Sequence, residues 1–142
     1  MDIAKRRNAT LQTVNRFAGQ PLVIGTHDCG KMVISHLRAM GHRPRIGEDG
    51  TWKSATGLMR FLRRHGGSGA ACLDAWLPGR RITPAMRIIG DIVEIPGEPP
   101  FGCFGICINN GRVLCWLEEI EGAAIVQPVQ MLAAWRLSLI HI

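Results

Sequence analysis

Phe101-Gly102-Cys103-Phe104-Gly105-Ile106-Cys107-Ile108-Asn109-Asn110-Gly111-Arg112-Val113-Leu114-Cys115-Trp116-Leu117 reads as two β-strands, 101–108 and 112–117, joined by Asn109-Asn110-Gly111. Asn and Gly tolerate positive φ, which a tight antiparallel turn requires. Cys103 and Cys107 alternate onto one face of the first strand. The side taken by Cys115 depends on loop length. A two-residue Asn110-Gly111 turn pairs it with Ile106, on the opposite face. A three-residue Asn109-Asn110-Gly111 loop pairs it with Gly105, on the same face as the other two cysteines.

Around this hairpin the pattern stays β-like. Asp91-Ile92-Val93-Glu94-Ile95 predicts a strand, Pro96 to Pro100 a turn-rich connector, Ala124-Ile125-Val126 another strand, and Met131 to Leu137 a short helix or strand. Toward the N-terminus the period becomes helical. The first 18 residues predict a helix with Leu11, Val14 and Phe17 or Ala18 on its apolar stripe, stopped by Gly19-Gln20-Pro21. Leu22-Val23-Ile24 predicts a short strand running to Gly25. A second helix spans about Asp28 to Met40, capped by Asp28 or Thr26, with Cys29, Val33, Leu37 and Met40 on one face and Gly41 at its end. A polar loop covers 42–53. Ser54 then caps a helix carrying Leu58, Phe61, Leu62 and His65 on one face, and a short helix follows Ser68, gathering Ala71, Cys72, Ala75 and Trp76.

Helices first and antiparallel strands after them define an α+β domain, with N-terminal helices packed on a C-terminal sheet over residues 1–137. Ser138 to Ile142 fit no preceding pattern, are compatible with a frayed terminus, also resemble a translated adapter tail, and stay unassigned. With 142 residues and 46% hydrophobic content, the chain has material for one domain with a real core. Its five cysteines follow no secreted-protein spacing. No apolar stretch backs the charges of Met1 to Arg7, and none approaches the roughly 18 residues that span a bilayer. The expectation is a reducing cytoplasm with free thiols and no membrane span.

Net charge is +6, mostly from arginine. Arg60, Arg63 and Arg64 form the densest basic group, with Arg80 and Arg81 behind. Phe61 and Leu62 fall at core-facing spacing, so these arginines read as a solvated face and no nucleic-acid partner is expected. Trp52, Trp76, Trp116 and Trp135 read as core or rim residues, with Trp135-Arg136 sealing the sheet edge or meeting a partner.

Cys29 carries the clearest chemical potential. At a helix N-terminus it feels the positive end of the macrodipole, which favours a thiolate nucleophile. A nucleophile needs a base within hydrogen-bond reach; the alternative is that Cys29 is a buried small hydrophobe on a helix face, as free cysteines often are. His27 lies two residues upstream and is the weak candidate. His36 lies two helical turns on, about 10 Å along the axis. His42 and His65 fall in or beside loops. Cys29, Cys103 and Cys115, with Cys107 and His27 nearby, also form a soft-metal or redox set on paper. No CxxC pair supports it, and Cys103-x3-Cys107 on a strand is poor chelate spacing, so no cofactor is expected.

Asp28-Cys29 opening a helix, Gly90-Asp91-Ile92-Val93 opening a strand, and Cys103-Phe104-Gly105-Ile106-Cys107-Ile108 before Asn109-Asn110-Gly111 follow the order of parts in the NlpC-like branch of papain-fold peptidases. The resemblance implies Cys29 as nucleophile. It also implies that Cys103 stands where the catalytic histidine belongs and Cys115 where the third, base-orienting residue usually lies. A thiol is mostly protonated near neutral pH and does not replace an imidazole base. Together with Gly25-Thr26-His27-Asp28-Cys29 and the closing Ala134-Trp135-Arg136, the set is similar to a family of small proteins from phage and prophage tail loci that look like NlpC-type domains without the histidine. That likeness implies a papain-like fold and a structural or assembly role at the tail tip. It further implies other tail proteins and peptidoglycan as partners, and residence in the host cytoplasm during assembly and then in the virion tail. The alternatives are a cysteine hydrolase cleaving peptidoglycan peptides through Cys29, and a metal or redox site of clustered cysteines.

Overall fold

Helices α1 (Ile3–Phe17), α2 (Cys29–Ala39), α3 (Ala55–Arg64) and α4 (Gly69–Trp76) precede the sheet strands. Those strands are β1 (Arg81–Ile82), β2 (Ile92–Ile95), β3 (Cys103–Cys107), β4 (Val113–Cys115), β5 (Ala124–Val126) and β6 (Ala133–Trp135). They form one antiparallel sheet in the order β1-β6-β2-β3-β4-β5. The computed structural model describes residues 2–98 and 101–140. Pro99 and Pro100 of the proline connector, and His141 and Ile142 of the tail, lie outside the described residues. The chain is thus the α+β domain its patterning predicts.

Local chemistry starts each helix. The side chains of Asp2, Asp28, Ser54 and Ser68 each accept the backbone N–H three residues on, from Lys5, Lys31, Gly57 and Ala71. Each satisfies one donor that the first turn leaves without a partner. On the sheet, Ile92, Phe104, Ile106, Leu114, Trp116 and Trp135 face the helices and pack against Ala9, Phe17, Val33, Leu37, Met40 and Leu73. The reverse face buries Val93, Ile95, Val113, Cys115 and Ala134 in a smaller cluster.

Two expectations need correction. The buried stripe of α1 is Arg6, Ala9, Thr10, Thr13 and Phe17, with Leu11 exposed and Val14 only half-buried. Polar residues can take that stripe because each of them finds a partner inside. Leu22-Val23-Ile24 is not a strand but an exposed turn, held by one isolated bridge between Val23 and His27. Met131 to Leu137 resolves to strand β6, and the two-residue β1 escaped notice because so short a run has no readable period. Ser138 to Ile140 close over the end of α2: the Ser138 carbonyl accepts from His42 Nε2 at 2.7 Å, and the Ile140 N–H donates to the Met40 carbonyl at 3.0 Å.

A buried carboxylate holds the layers together. Asp91 Oδ1 accepts from Arg6 Nη2 at 2.9 Å and from the Leu137 N–H at 3.2 Å. Its Oδ2 accepts from Arg136 Nε and from the Ile88 N–H, both at 2.9 Å. Arg6 is fully buried and also donates to the carbonyls of Ile89 and Leu137. One residue earlier, the Gly90 carbonyl accepts from His36 Nε2 at 2.8 Å. With the proton on Nε2, His36 Nδ1 accepts from the Thr13 hydroxyl at 2.8 Å. Gly90 itself sits at φ +92°, where a Cβ would lie 3.2 Å from Thr10 Oγ1 and 3.3 Å from Arg6 Nη2.

Removing one partner of a fully buried ion pair leaves an uncompensated charge, so Arg6→Ala should cost about 3–5 kcal/mol in urea denaturation. A loss under about 1 kcal/mol would show that Asp91 does not depend on it. Burial lowers the His36 pKa from 6.5 to about 4. Between those values the unfolded chain takes up a proton that the folded one refuses. Stability is therefore complete above the upper value and falls by up to about 3 kcal/mol as pH drops toward the lower one. Imidazole NMR should show His36 neutral from about pH 5 upward, and titration near its ordinary value would contradict the buried geometry.

Candidate functional site

Cys29 opens α2, and Asp28 before it is a buried brace. Asp28 Oδ2 accepts from the Gly25 N–H at 2.7 Å and from Trp52 Nε1 at 3.0 Å, while Oδ1 accepts from the Lys31 N–H at 2.8 Å. These bonds tie the 25–29 turn, the first turn of α2 and the Trp52 indole into one unit. Lys31 Nζ stands 4.0 Å from the centroid of that indole. Trp52 is buried although it ends a stretch whose composition reads as a polar loop. Its lone large ring among small and charged residues was the only signal.

Around Cys29 the walls are apolar. Half-buried itself, it lines a pocket of about 60 Å³ with Val33, Trp52, Phe61, Trp76 and Phe104, while Cys72 contributes a second thiol. A helix N-terminus favours a thiolate by about 0.3–1 kcal/mol, rising to about 2 kcal/mol in good geometry. Desolvation outweighs it. Burial pushes the Cys29 pKa from 9.0 to about 12, with the neighbouring Cys103 adding to the rise. A shift of that size corresponds to about 4 kcal/mol against the charged form. The sulfur is thus a neutral thiol facing hydrocarbon.

Hairpin register settles where the other thiols lie. Ile106 pairs with Leu114 and Cys107 with Val113 across a three-residue Asn109–Gly111 loop, in which Asn110 takes φ 59°. Continuing that register sets Cys115 opposite Gly105, where a Cβ would come within 2.3 Å of Val113 Cγ1 and 3.1 Å of Cys115 Cβ. Cys103 and Cys115 pack with the reverse-face cluster, whereas Cys29 packs with the helix-side cluster. All three still lie close together, since Cys103 adds to the rise of the Cys29 pKa and Cys29 to that of Cys115. Cys103 Sγ donates to the Trp116 carbonyl at 3.6 Å and Cys107 Sγ to the Ile108 carbonyl at 3.5 Å. Burial raises the pKa of Cys103 to about 12, and those of Cys107 and Cys115 to about 11. Among the described residues no group of three or more His, Cys, Asp or Glu side chains is placed to hold a metal ion.

The histidines have other company. His27 turns its ring edge-on to Phe17, with centroids 5.9 Å apart. His36 is held by Thr13 and Gly90, and His42 bonds the Ser138 carbonyl. The His65 ring lies 4.3 Å from Phe61 and 6.1 Å from Trp76. Among the described residues, none of these imidazoles hydrogen-bonds the Cys29 sulfur. Sequence spacing placed Asp28 at the cap and Cys29 at the start of α2, and it missed the ring of aromatics around the sulfur.

Fold and site together define a small α+β domain with a shielded thiol at a helix start. Its sequence matches the family described as "Domain of unknown function (DUF6950)" over residues 1–137, and the chain belongs to that family. No curated protein and no solved structure matches it. No described helix is long and apolar enough to cross a membrane.

A pKa raised by this much cuts the thiolate population about a thousandfold. Peptide-resolved iodoacetamide labelling of Cys29 in the native protein should therefore run at least about 100-fold slower than that of a free thiol, and recover in denaturant. Fast native labelling would show the sulfur to be ionised.

Proposed function

We propose that this chain is a structural or assembly component of a phage or prophage tail, placed near the tail tip, built on an NlpC-like papain layout without hydrolytic chemistry. One observation carries the reading. Cys29 stands at the start of α2, as a nucleophile would, but β3 opens with Cys103 and no described imidazole bonds the sulfur. The neighbouring apolar pocket and the neutral thiol support a packing role for Cys29 rather than acyl transfer, which needs a base and a polarised site. Asp28, a candidate charge beside the nucleophile, already accepts three N–H donors within its own turn and from Trp52. Other tail proteins are the partners, and the protein resides in the host cytoplasm during assembly and in the virion tail afterwards. The order of motifs, more than any single residue, supports the tail context.

Mass spectrometry of purified virions, from a phage encoding the chain, should find it at fixed stoichiometry with the tail, and deletion should leave tails incomplete. Purified protein incubated with peptidoglycan fragments should release no new amino termini. Release that disappears in Cys29→Ser would replace this reading with the cysteine hydrolase. Intact, infective tails without the protein would remove the assembly role.

A further inference from the structure

Pro21-Leu22-Val23-Ile24 is apolar in sequence and yet uncovered: Leu22 is 58% exposed, Val23 46% and Ile24 39%. A run of exposed apolar residues is disfavoured on a solvated surface unless something binds it. Beside it lies a groove of about 340 Å³ whose floor is Pro21, Leu22, Trp116, Leu117 and Ile120. Its walls are fixed in advance. The Gly19 N–H donates to the Ala123 carbonyl at 2.8 Å, the Ala123 N–H to the Gln20 carbonyl at 3.0 Å, and Trp116 Nε1 to the same Gln20 carbonyl at 2.8 Å.

The rim is acidic in a chain that is otherwise basic. Glu118 and Glu121 border the groove, and Glu119 lies exposed on the same turn. Such a rim opposes an anionic lipid surface and fits a partner bearing apolar anchors among cations. The chain itself carries that complement. On α1, Ile3, Arg7 and Leu11 recur every four residues along one exposed stripe. Among the described residues Arg7, Glu118 and Glu121 have no ion-pair partner. Groove and stripe also lie toward opposite ends of one helix about 22 Å long, so a single copy does not close one onto the other.

We propose that the groove is a self-association site, and that its occupant is the α1 stripe of a second copy of this chain. Leu11 and Ile3 supply the apolar anchors, and Arg7 between them faces the acidic rim. This assignment does not depend on the tail reading.

Sedimentation equilibrium over graded concentration and salt tests it, using the full chain. Wild type should associate, and more weakly as salt rises. Glu118→Lys with Glu121→Lys in one chain, and Arg7→Glu in another, should each weaken association by about tenfold or more. All three positions are exposed, and circular dichroism would confirm that both variants keep the fold. Mixing the two reversed chains should restore a complex, because the basic groove then meets an acidic stripe. A wild type that stays monomeric, association indifferent to both reversals, or no recovery on mixing would each overturn the proposal.

Discussion

The Asp91 carboxylate, fully buried and accepting from Arg6, Arg136, Ile88 and Leu137, is the constraint on which the arrangement of layers rests. Its donors come from α1, from the loop before β2, and from the chain just past β6. Those segments are far apart in sequence: Arg6 and Asp91 are separated by 85 positions. A buried ion pair adds little net stability over a well-packed apolar substitute, because both charges must leave water. Its effect is on specificity. Burying Arg6 is tolerable only in the one arrangement that delivers a carboxylate and two carbonyls to it. Helix α1 is thereby restricted to one depth and one rotation on the sheet. Gly90 adds to this by offering its carbonyl to His36, which brings α2 to the same point.

The geometry of a nucleophile and the chemistry of one are separable here. Helix α2 presents Cys29 where a macrodipole favours ionisation, and Asp28 caps the helix. Aromatic rings from the stretch before α3, from α3, from α4 and from β3 then exclude water from the sulfur. The dipole acts at about 1 kcal/mol and the loss of water at several, so the second decides the protonation state. Asp28 looks like a charged neighbour in sequence. In space its oxygens are engaged by three N–H donors, and it acts as a brace.

What was legible in the sequence was local. Asp28, Ser54 and Ser68 marked helix starts because a cap acts over three residues. The Asn-Asn-Gly turn marked the hairpin because backbone sterics act over fewer still. The burial of Arg6 went unread, since nothing near it announces a carboxylate 85 positions away. Leu22 to Ile24 were read as a short apolar strand, because apolarity records what a residue prefers and not whether anything pairs with or covers it. The face of Cys115 stayed open between two loop lengths, each compatible with the same residues. The burial of Cys29 was readable only as the general tendency of free cysteines; the rings that effect it come from separate segments that meet only in the folded chain.

Loop tips ordinarily absorb insertions and deletions with little consequence. The Asn109–Gly111 tip is an exception. Its length is what sends Leu114 and Trp116 into the helix-side core and Val113 and Cys115 to the other face. Losing one residue there would exchange those sets, turning the Trp116 indole out of the core and away from the Gln20 carbonyl. Divergence in this chain should therefore change the letters of that tip far more readily than their number.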